Sequence, residues 1–499
     1  MDSQIPVESR FGSAAAREIG GGRHRHRLLV MSNRAPIRLV RERGVERIVP
    51  TVGGVGTTFF RLLELYGGLW IAWSGVKDSP GRMMMPPSDP RFAMVFPKLT
   101  ERDIANYYWG MCNRGLWPLM HYMTPNCYFE ANHWKSYCHV NRLFAAAAEN
   151  EAAHYDVAWI QDFHLALVPR LLHSRRPGLP IGLFWHVPWP PEQVFSVFPW
   201  RRELLAGMLG SDLIGFHIKR YAKHFLDCCE QLLGVEVDHA AGTVVHEGHL
   251  TRVDAFPLGI PTDFFRELSA SLPVQEQARR IRRMLRTPTI VLGVDRLDYT
   301  KGVIERLLGF ERFLELNAKY RGAVTLVLIA VPSRTKVAEY AALKRELDEA
   351  VGRVVGRFSS EGYAPIRYLY TQFDADELVA YYQAADIALL TPLRDGMNLV
   401  AKEFVASQLN DRAVLILSEF AGAAEELKEA LLVNPYSIDQ IALRLREAVE
   451  MSPQEKQTRL TRLRQRIESN NLEFWSQSFL NTLIDTTPVA GKSIDERGS

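Results

Sequence analysis

The stretch 391-TPLRDGMNLVAKEF-404 decides how this chain is read. An apolar run, Ile387 to Thr391, ends in a charged turn, and a helix-spaced apolar pattern follows. If the helix begins near Gly396, the N–H groups of Gly396, Met397, Asn398 and Leu399 point out of its N-terminus, toward the carboxyl edge of a sheet. Bare amides and the helix dipole make an anion site there. In an open α/β sheet that edge is where ligands bind. Asp395 can accept from sugar hydroxyls, while Glu403 lies about 12 Å further along and about 80° round the helix. The two acids therefore suit opposite ends of one extended ligand, not a close catalytic pair. A single DG would read as a solvated cap; here the following residues carry no bulky charge to block the amides.

Similar runs recur along the chain. They are 28-LLVMS-32, 157-VAWIQ-161, 181-IGLFW-185 and 213-LIGFH-217, then 289-TIVLGV-294, 324-VTLVLIAV-331, 366-IRYLY-370, 387-IALLT-391 and 413-AVLIL-417. Continuous apolar strands imply parallel sheets covered on both faces by helices. Ile304, Leu307, Leu308, Phe310, Phe313 and Leu314 mark one amphipathic helix between them. The alternation predicts an α/β chain of two doubly wound domains. Gly259 and Pro261 in 256-FPLGIPTDFF-265 mark the hinge. Boundaries follow: a polar, flexible arm over 1–27, domains over 28–258 and 259–460, a terminal helix over 461–485 and a flexible tail over 486–499. Ser452-Pro453-Gln454-Glu455 reads as a capping box before the last helical stripe.

At 499 residues, 47% apolar and 23% charged, the composition is that of a globular protein. A formal net charge of +3 gives no global basic field for nucleic acid or an anionic membrane. The longest apolar run is far too short to span a bilayer. Cys112, Cys127, Cys138, Cys228 and Cys229 never fall in a CxxC spacing, and a reducing cytoplasm is the expected home. No metal-ligand constellation occurs, since 246-HEGH-249 lacks HExxH spacing, and no cofactor is expected. GxGxxG is missing, which disfavours a dinucleotide oxidoreductase.

In 294-VDRLDYTKG-302, Arg296 and Lys301 follow a strand, where two fixed cations can neutralise a diphosphate leaving group. Surface charges are the competing reading. In the first half, Asn33 and Arg34 follow the first strand, and the turn 53-GGVG-56 opens a helix. Asp162 and His164 follow 157–161, and His186 follows 181–185. Several polar groups at one sheet edge weaken a purely structural reading of each.

These pieces resemble the trehalose-6-phosphate synthase family: SNR at 32–34, YY at 107–108, LWPLMHY at 116–122, QDFHL at 161–165, WHVPWP at 185–190, RLDYTKG at 296–302, PSR at 332–334 and the opening stretch. The resemblance runs from about Leu28 to Asp485. It implies a retaining glycosyltransferase of the GT-B fold, two Rossmann-like domains facing across a cleft, with no metal or other cofactor. It implies a nucleotide-glucose donor, UDP-glucose first among them, and glucose 6-phosphate as acceptor. Gly53 and Gly54 would meet the nucleotide-sugar, and Arg296 with Lys301 its diphosphate. Phe373 and the segment Leu399, Val400, Ala401, Lys402, Glu403 would hold the nucleoside, with Glu403 on the ribose. Asp395 and His186 would contact the transferred glucose. Arg34, Tyr108, Trp117 and Arg334 would cradle the acceptor phosphate, and Asp162 that sugar's hydroxyls. The family often has HDYHL where this chain has QDFHL, and Trp185 and Trp189 are variants. Two other readings stand beside this one: a glucosylglycerol-phosphate synthase using glycerol 3-phosphate, and a non-catalytic sugar-phosphate sensor. The base of the donor and self-association into a homo-oligomer stay open.

Overall fold

The computed structural model describes residues 27–35, 37–42, 45–50, 55–75, 81–86, 89–334 and 337–486. Gly53 and Gly54 lie outside them, as do the proposed arm, apart from Arg27, and nearly all of the tail. The chain divides into two compact units. The first holds residues up to Phe256 and again from Ser476; the second runs from Pro257 to Trp475.

The strands of the first unit are β1 (Leu28–Arg34), β2 (Ile37–Glu42), β3 (Val45–Pro50), β4 (Gly68–Trp73), β5 (Arg82–Met85), β6 (Phe92–Val95), β7 (Val157–Gln161), β8 (Ile181–Phe184), β9 (Leu213–Phe216), β10 (Glu236–Asp238), β11 (Thr243–His246) and β12 (His249–Ala255). Ten of them form one sheet in the order β10-β11-β12-β9-β8-β7-β1-β4-β6-β5. From β12 to β6 every pairing is parallel, and only the two margins are antiparallel. The chain starts at β1, builds outward through β4 and β6, then returns to build β7, β8 and β9 on the other side. The reversal between β1 and β7 is the topological switch point, where loops diverge and leave a crevice. The β7, β8 and β9 residues are all buried, as their unbroken apolar runs require. The residues 246-HEGH-249 close the β11–β12 hairpin, with Glu247 and Gly248 both at positive φ.

The second unit carries β13 (Thr289–Arg296), β14 (Val324–Val331), β15 (Ile366–Leu369), β16 (Ile387–Leu390), β17 (Val414–Ser418) and β18 (Leu431–Val433). Their order is β15-β14-β13-β16-β17-β18, all parallel. Its switch point lies between β13 and β16. Alternate residues of each strand feed opposite cores. Val327 and Ile329 join the cluster containing Ala401 and Phe404, and Leu326 and Leu328 the one built on Leu307 and Phe310 of helix Val303–Leu316.

The terminal helix departs from the expected single span 461–485. It is two helices, Pro453–Ser469 and Leu472–Thr486, parted at Asn470 and Asn471. The Leu472 amide donates to the Ile260 carbonyl, and Gly259 lies so close to Asn471 that a Cβ would sit 2.2 Å from its carbonyl carbon. The Ser452 hydroxyl does cap Glu455, but that carboxylate turns to Arg459 instead of completing the box. From Ser476 on, the last helix packs on the first unit's sheet. Phe479 stacks on Trp159 at 4.7 Å and fills a groove left by Gly182 and Gly215, where a Cβ would meet its ring at 2.7 Å. None of the described helices is long and apolar enough to cross a membrane, and the five cysteines form no disulfide.

Candidate active site

In the second unit both strands at the switch point end in polar groups. β13 ends in exposed Arg296, and after it come buried Asp298 and a tight turn through Lys301 to Gly302, whose φ is +58°. After β16 comes Asp395. The Lys301 ammonium donates to Asp395 Oδ2 at 2.6 Å, and the Asn398 amide to the same oxygen at 3.1 Å. The two loops are clasped by backbone as well: Leu393 N donates to the Thr300 carbonyl at 2.8 Å, and the Thr391 hydroxyl to the Gly302 carbonyl at 3.0 Å.

The helix after Asp395 spans Leu399–Ser407 and starts later than Gly396. Asn398 is its N-cap in the left-handed region, and its side chain accepts from Ala401 N at 3.1 Å. Residues 395–397 are held in a turn against the next loop. Asp395 N donates to the Phe420 carbonyl, while the Asp395 and Met397 carbonyls accept from Gly422 and Ala423. The outward amides of the first helical turn are therefore those of Leu399 and Val400. About one turn into this helix lies Glu403, 9% exposed, whose Oε2 accepts from the Tyr382 hydroxyl at 3.0 Å. Burial pushes its carboxyl up to about 7.

Arg334 does not stand open at the end of β14. It lies at φ +46°, its side chain only 8% exposed, and donates to Asp298 Oδ2 at 2.8 Å. Beneath these loops Arg306 and Asp295 form a fully enclosed ion pair, and burial raises the Asp295 pKa.

In the first unit the switch point gathers a second set. Arg34 ends β1 beside a register shift against β4, and its guanidinium carbon lies 4.8 Å from the Trp73 ring and 5.2 Å from that of Tyr108. Tyr108 comes from the π-wound segment Ile104–Leu116, a winding that tends to occur at functional sites. Its ring stacks on His164 at 6.2 Å. Asp162 follows β7 at φ +68°, its Oδ1 accepting from His186 N at 3.1 Å and its Oδ2 lying 3.8 Å from His164. His186 Nε2 and Gln161 Oε1 are 2.9 Å apart. Desolvation, with His217 beside it, holds the His186 imidazole well below the usual histidine range, so it is neutral at pH 7. Trp117 is buried at 7%, packed 4.2 Å from the His121 ring, and forms wall rather than open surface.

The sequence signature of glycosyltransferase family 20 matches residues 26–485. The chain belongs to that family. The trehalose-6-phosphate synthase of Mycobacterium sp. (strain JLS) is 38% identical over 468 residues, covering 92% of this chain and 96% of that protein. Among solved structures, the UDP-forming alpha,alpha-trehalose-phosphate synthase of Burkholderia xenovorans in complex with glucose-6-phosphate superposes with a TM-score of 0.84 at 32% identity. That match covers 92% of this chain and 100% of the other. An E. coli chain bound with UDP-2-fluoro glucose gives 0.83 at 33% identity, over 92% and 98%.

Within this family-20 chain, the structure brings Arg34, Tyr108, Asp162 and His186 to one switch point and Arg296, Lys301 and Asp395 to the other. Met397 and Ala401 belong to the core, so only their backbone faces the turn. Phe373 is half-buried against the same core, its ring 5.1 Å from Tyr381. Lys402, expected with its neighbours in the nucleoside segment, keeps its side chain inside the unit. Lys402 is fully buried, donating to Glu426 Oε2 at 2.6 Å and to the Leu258 carbonyl at 2.8 Å. Sequence reasoning missed Trp73, Asp298 and Tyr382. Asp298 alone had a local signal, an acid two residues before Thr300 that can form an Asx-turn.

Proposed function

We propose that this chain transfers glucose, with retention, from UDP-glucose to glucose 6-phosphate, forming α,α-trehalose 6-phosphate and UDP. The Lys301–Asp395 pair at the second unit's switch point carries the reading. It sets a cation at the foot of β13 for the diphosphate and a carboxylate beside it for glucose hydroxyls. Arg296 adds a second charge, and the Leu399 and Val400 amides add helix-terminal donors. Glu403 takes the ribose hydroxyls. In the first unit Arg34, with its aromatic supports Trp73 and Tyr108, takes the acceptor phosphate. Asp162 takes the acceptor's hydroxyls, and neutral His186 bonds the transferred glucose.

Asp395 is committed to Lys301 and Asn398, which suits an acceptor of hydroxyl protons better than a nucleophile. The acceptor hydroxyl then attacks on the face from which the diphosphate leaves, and a phosphate oxygen of the leaving group takes its proton. The protein contributes position and charge stabilisation. Relatives named UDP-forming support the choice of donor. The test is to incubate the protein with glucose 6-phosphate or glycerol 3-phosphate and UDP-, GDP- or ADP-glucose, identifying products by NMR. Trehalose 6-phosphate with release of UDP is expected; a glycerol product, or none, overturns the assignment.

A further inference from the structure

Asp298 lies within the second unit, 0% exposed, and both of its carboxylate oxygens are occupied. Oδ1 accepts from the Thr300 amide at 3.0 Å and the Thr300 hydroxyl at 2.9 Å. Oδ2 accepts from Arg334 at 2.8 Å and from the Tyr340 hydroxyl at 2.9 Å. One oxygen thus fixes the turn that carries Lys301, and the other fixes the guanidinium of Arg334. The Asp298 backbone joins in, its carbonyl accepting from Lys301 N at 3.0 Å.

The surroundings are built for a permanent charge. Burial acts to raise the Asp298 pKa, but Arg334, then Arg296, the Thr300 amide and Lys301 overcome it and hold the carboxyl at about 2. Tyr340 also meets the Arg334 guanidinium, which lies 5.4 Å over its ring. Arg334 keeps a left-handed backbone that a non-glycine residue holds only where its neighbours over-determine it. A buried carboxylate with this many donors is costly to disturb.

We infer that Asp298 is a positioning residue that couples Arg334 to the Lys301 turn, so that the groups assigned to acceptor phosphate and donor diphosphate are set by one carboxylate. The inference rests on those two assignments, that of Lys301 as proposed above and that of Arg334 as the family resemblance implies it. It goes beyond them in naming the group through which a change at one is felt at the other.

The test uses the full chain, with saturation curves for both substrates and a UDP titration. Asp298→Asn keeps the size but places an N–H against groups that themselves donate. It should raise the KM for glucose 6-phosphate about tenfold, as Arg334→Ala should, since each loses a charge-assisted contact. In the glucose 6-phosphate KM the double variant should be no worse than Arg334→Ala alone, because one variant removes what the other positions. Thr300→Val, which loses only the hydroxyl arm, should lower kcat about threefold with the glucose 6-phosphate KM unmoved, and Tyr340→Phe should do the reverse. These milder variants carry the test if the asparagine variant fails to fold. Effects of Asp298→Asn and Arg334→Ala on that KM that multiply would overturn the coupling alone. An Arg334→Ala variant with an unchanged curve would overturn the acceptor assignment and the proposal with it. Thr300→Val and Tyr340→Phe shifting the same constant would also sink it.

Discussion

Glu403 is a carboxylate kept where its charge is opposed. Burial lifts its pKa from 4.5 to about 7, so between those values the folded chain retains a proton that the unfolded chain has lost. Stability from this group therefore falls as pH rises from about 4.5 to about 7 and is level above, by roughly 3 kcal/mol in all. Glu403→Gln should remove that slope, leaving the variant at least as stable as wild type at pH 8.5 and close to it at pH 4.5. UDP affinity should fall about 10- to 100-fold, because an amide accepts ribose hydroxyls less strongly than a carboxylate. Denaturant midpoints at the two pH values, with a UDP titration at pH 8.5, check both halves. Unchanged affinity in the folded variant would take Glu403 out of the site. Lys301 poses the complementary case. The diphosphate gains charge as its bond to glucose breaks, so a cation there favours the transition state over the ground state. Lys301→Ala should lower kcat roughly 100-fold, a loss of about 3 kcal/mol. Recovery of the full rate at saturating substrate would make it a binding residue only.

At the scale of elements, the donor loops are held by close backbone approach. A Cβ on Gly302 would sit 2.0 Å from the Thr391 carbonyl oxygen, at a φ that side chains disfavour. Gly302→Ala must therefore push the Lys301 turn away from the strand end before Asp395. The expected result is a folded but destabilised chain, by roughly 1–3 kcal/mol, with a lower kcat than any effect on UDP affinity explains. Normal melting and turnover would show that the clasp is dispensable. The same elements show what a reader of the sequence could see. Strands buried on both faces announce themselves as unbroken apolar runs, so β7, β8, β14 and β16 were legible, with the polar residues at their ends. The start of helix Leu399–Ser407 was not, because 395–397 are held by Phe420–Ala423, twenty-odd residues on, and no local propensity encodes that. β4 and β6, apolar runs LWIAW and FAMV of the same kind, were passed over in the reading. The partners of Arg334 were not legible for a related reason: Asp298 and Tyr340 come from separate elements.

At the scale of the whole chain, the segments that enter and leave the second unit converge on one buried ion pair. Lys402 donates to Glu426 and to the carbonyl of Leu258, just past the entry at Pro257. Glu426 Oε1 accepts from Asn470 at 3.0 Å, just before the exit at Trp475. The helix that bears Glu403 is thereby fastened to both connections by its neighbouring residue. Burial lowers the Lys402 pKa and Glu426 opposes the fall, so neither member is comfortable alone. Lys402→Met should cost about 3–5 kcal/mol by leaving Glu426 buried and uncompensated, while Lys402→Met with Glu426→Gln should regain most of that loss. Denaturant unfolding of wild type, both single variants and the double gives the coupling directly. A UDP titration of the double variant then settles the function of this side chain. Affinity within about threefold of wild type is expected, since the Lys402 side chain is buried and committed to Glu426 and the Leu258 carbonyl. A folded double variant that loses UDP as severely as Glu403→Gln would return Lys402 to the donor site.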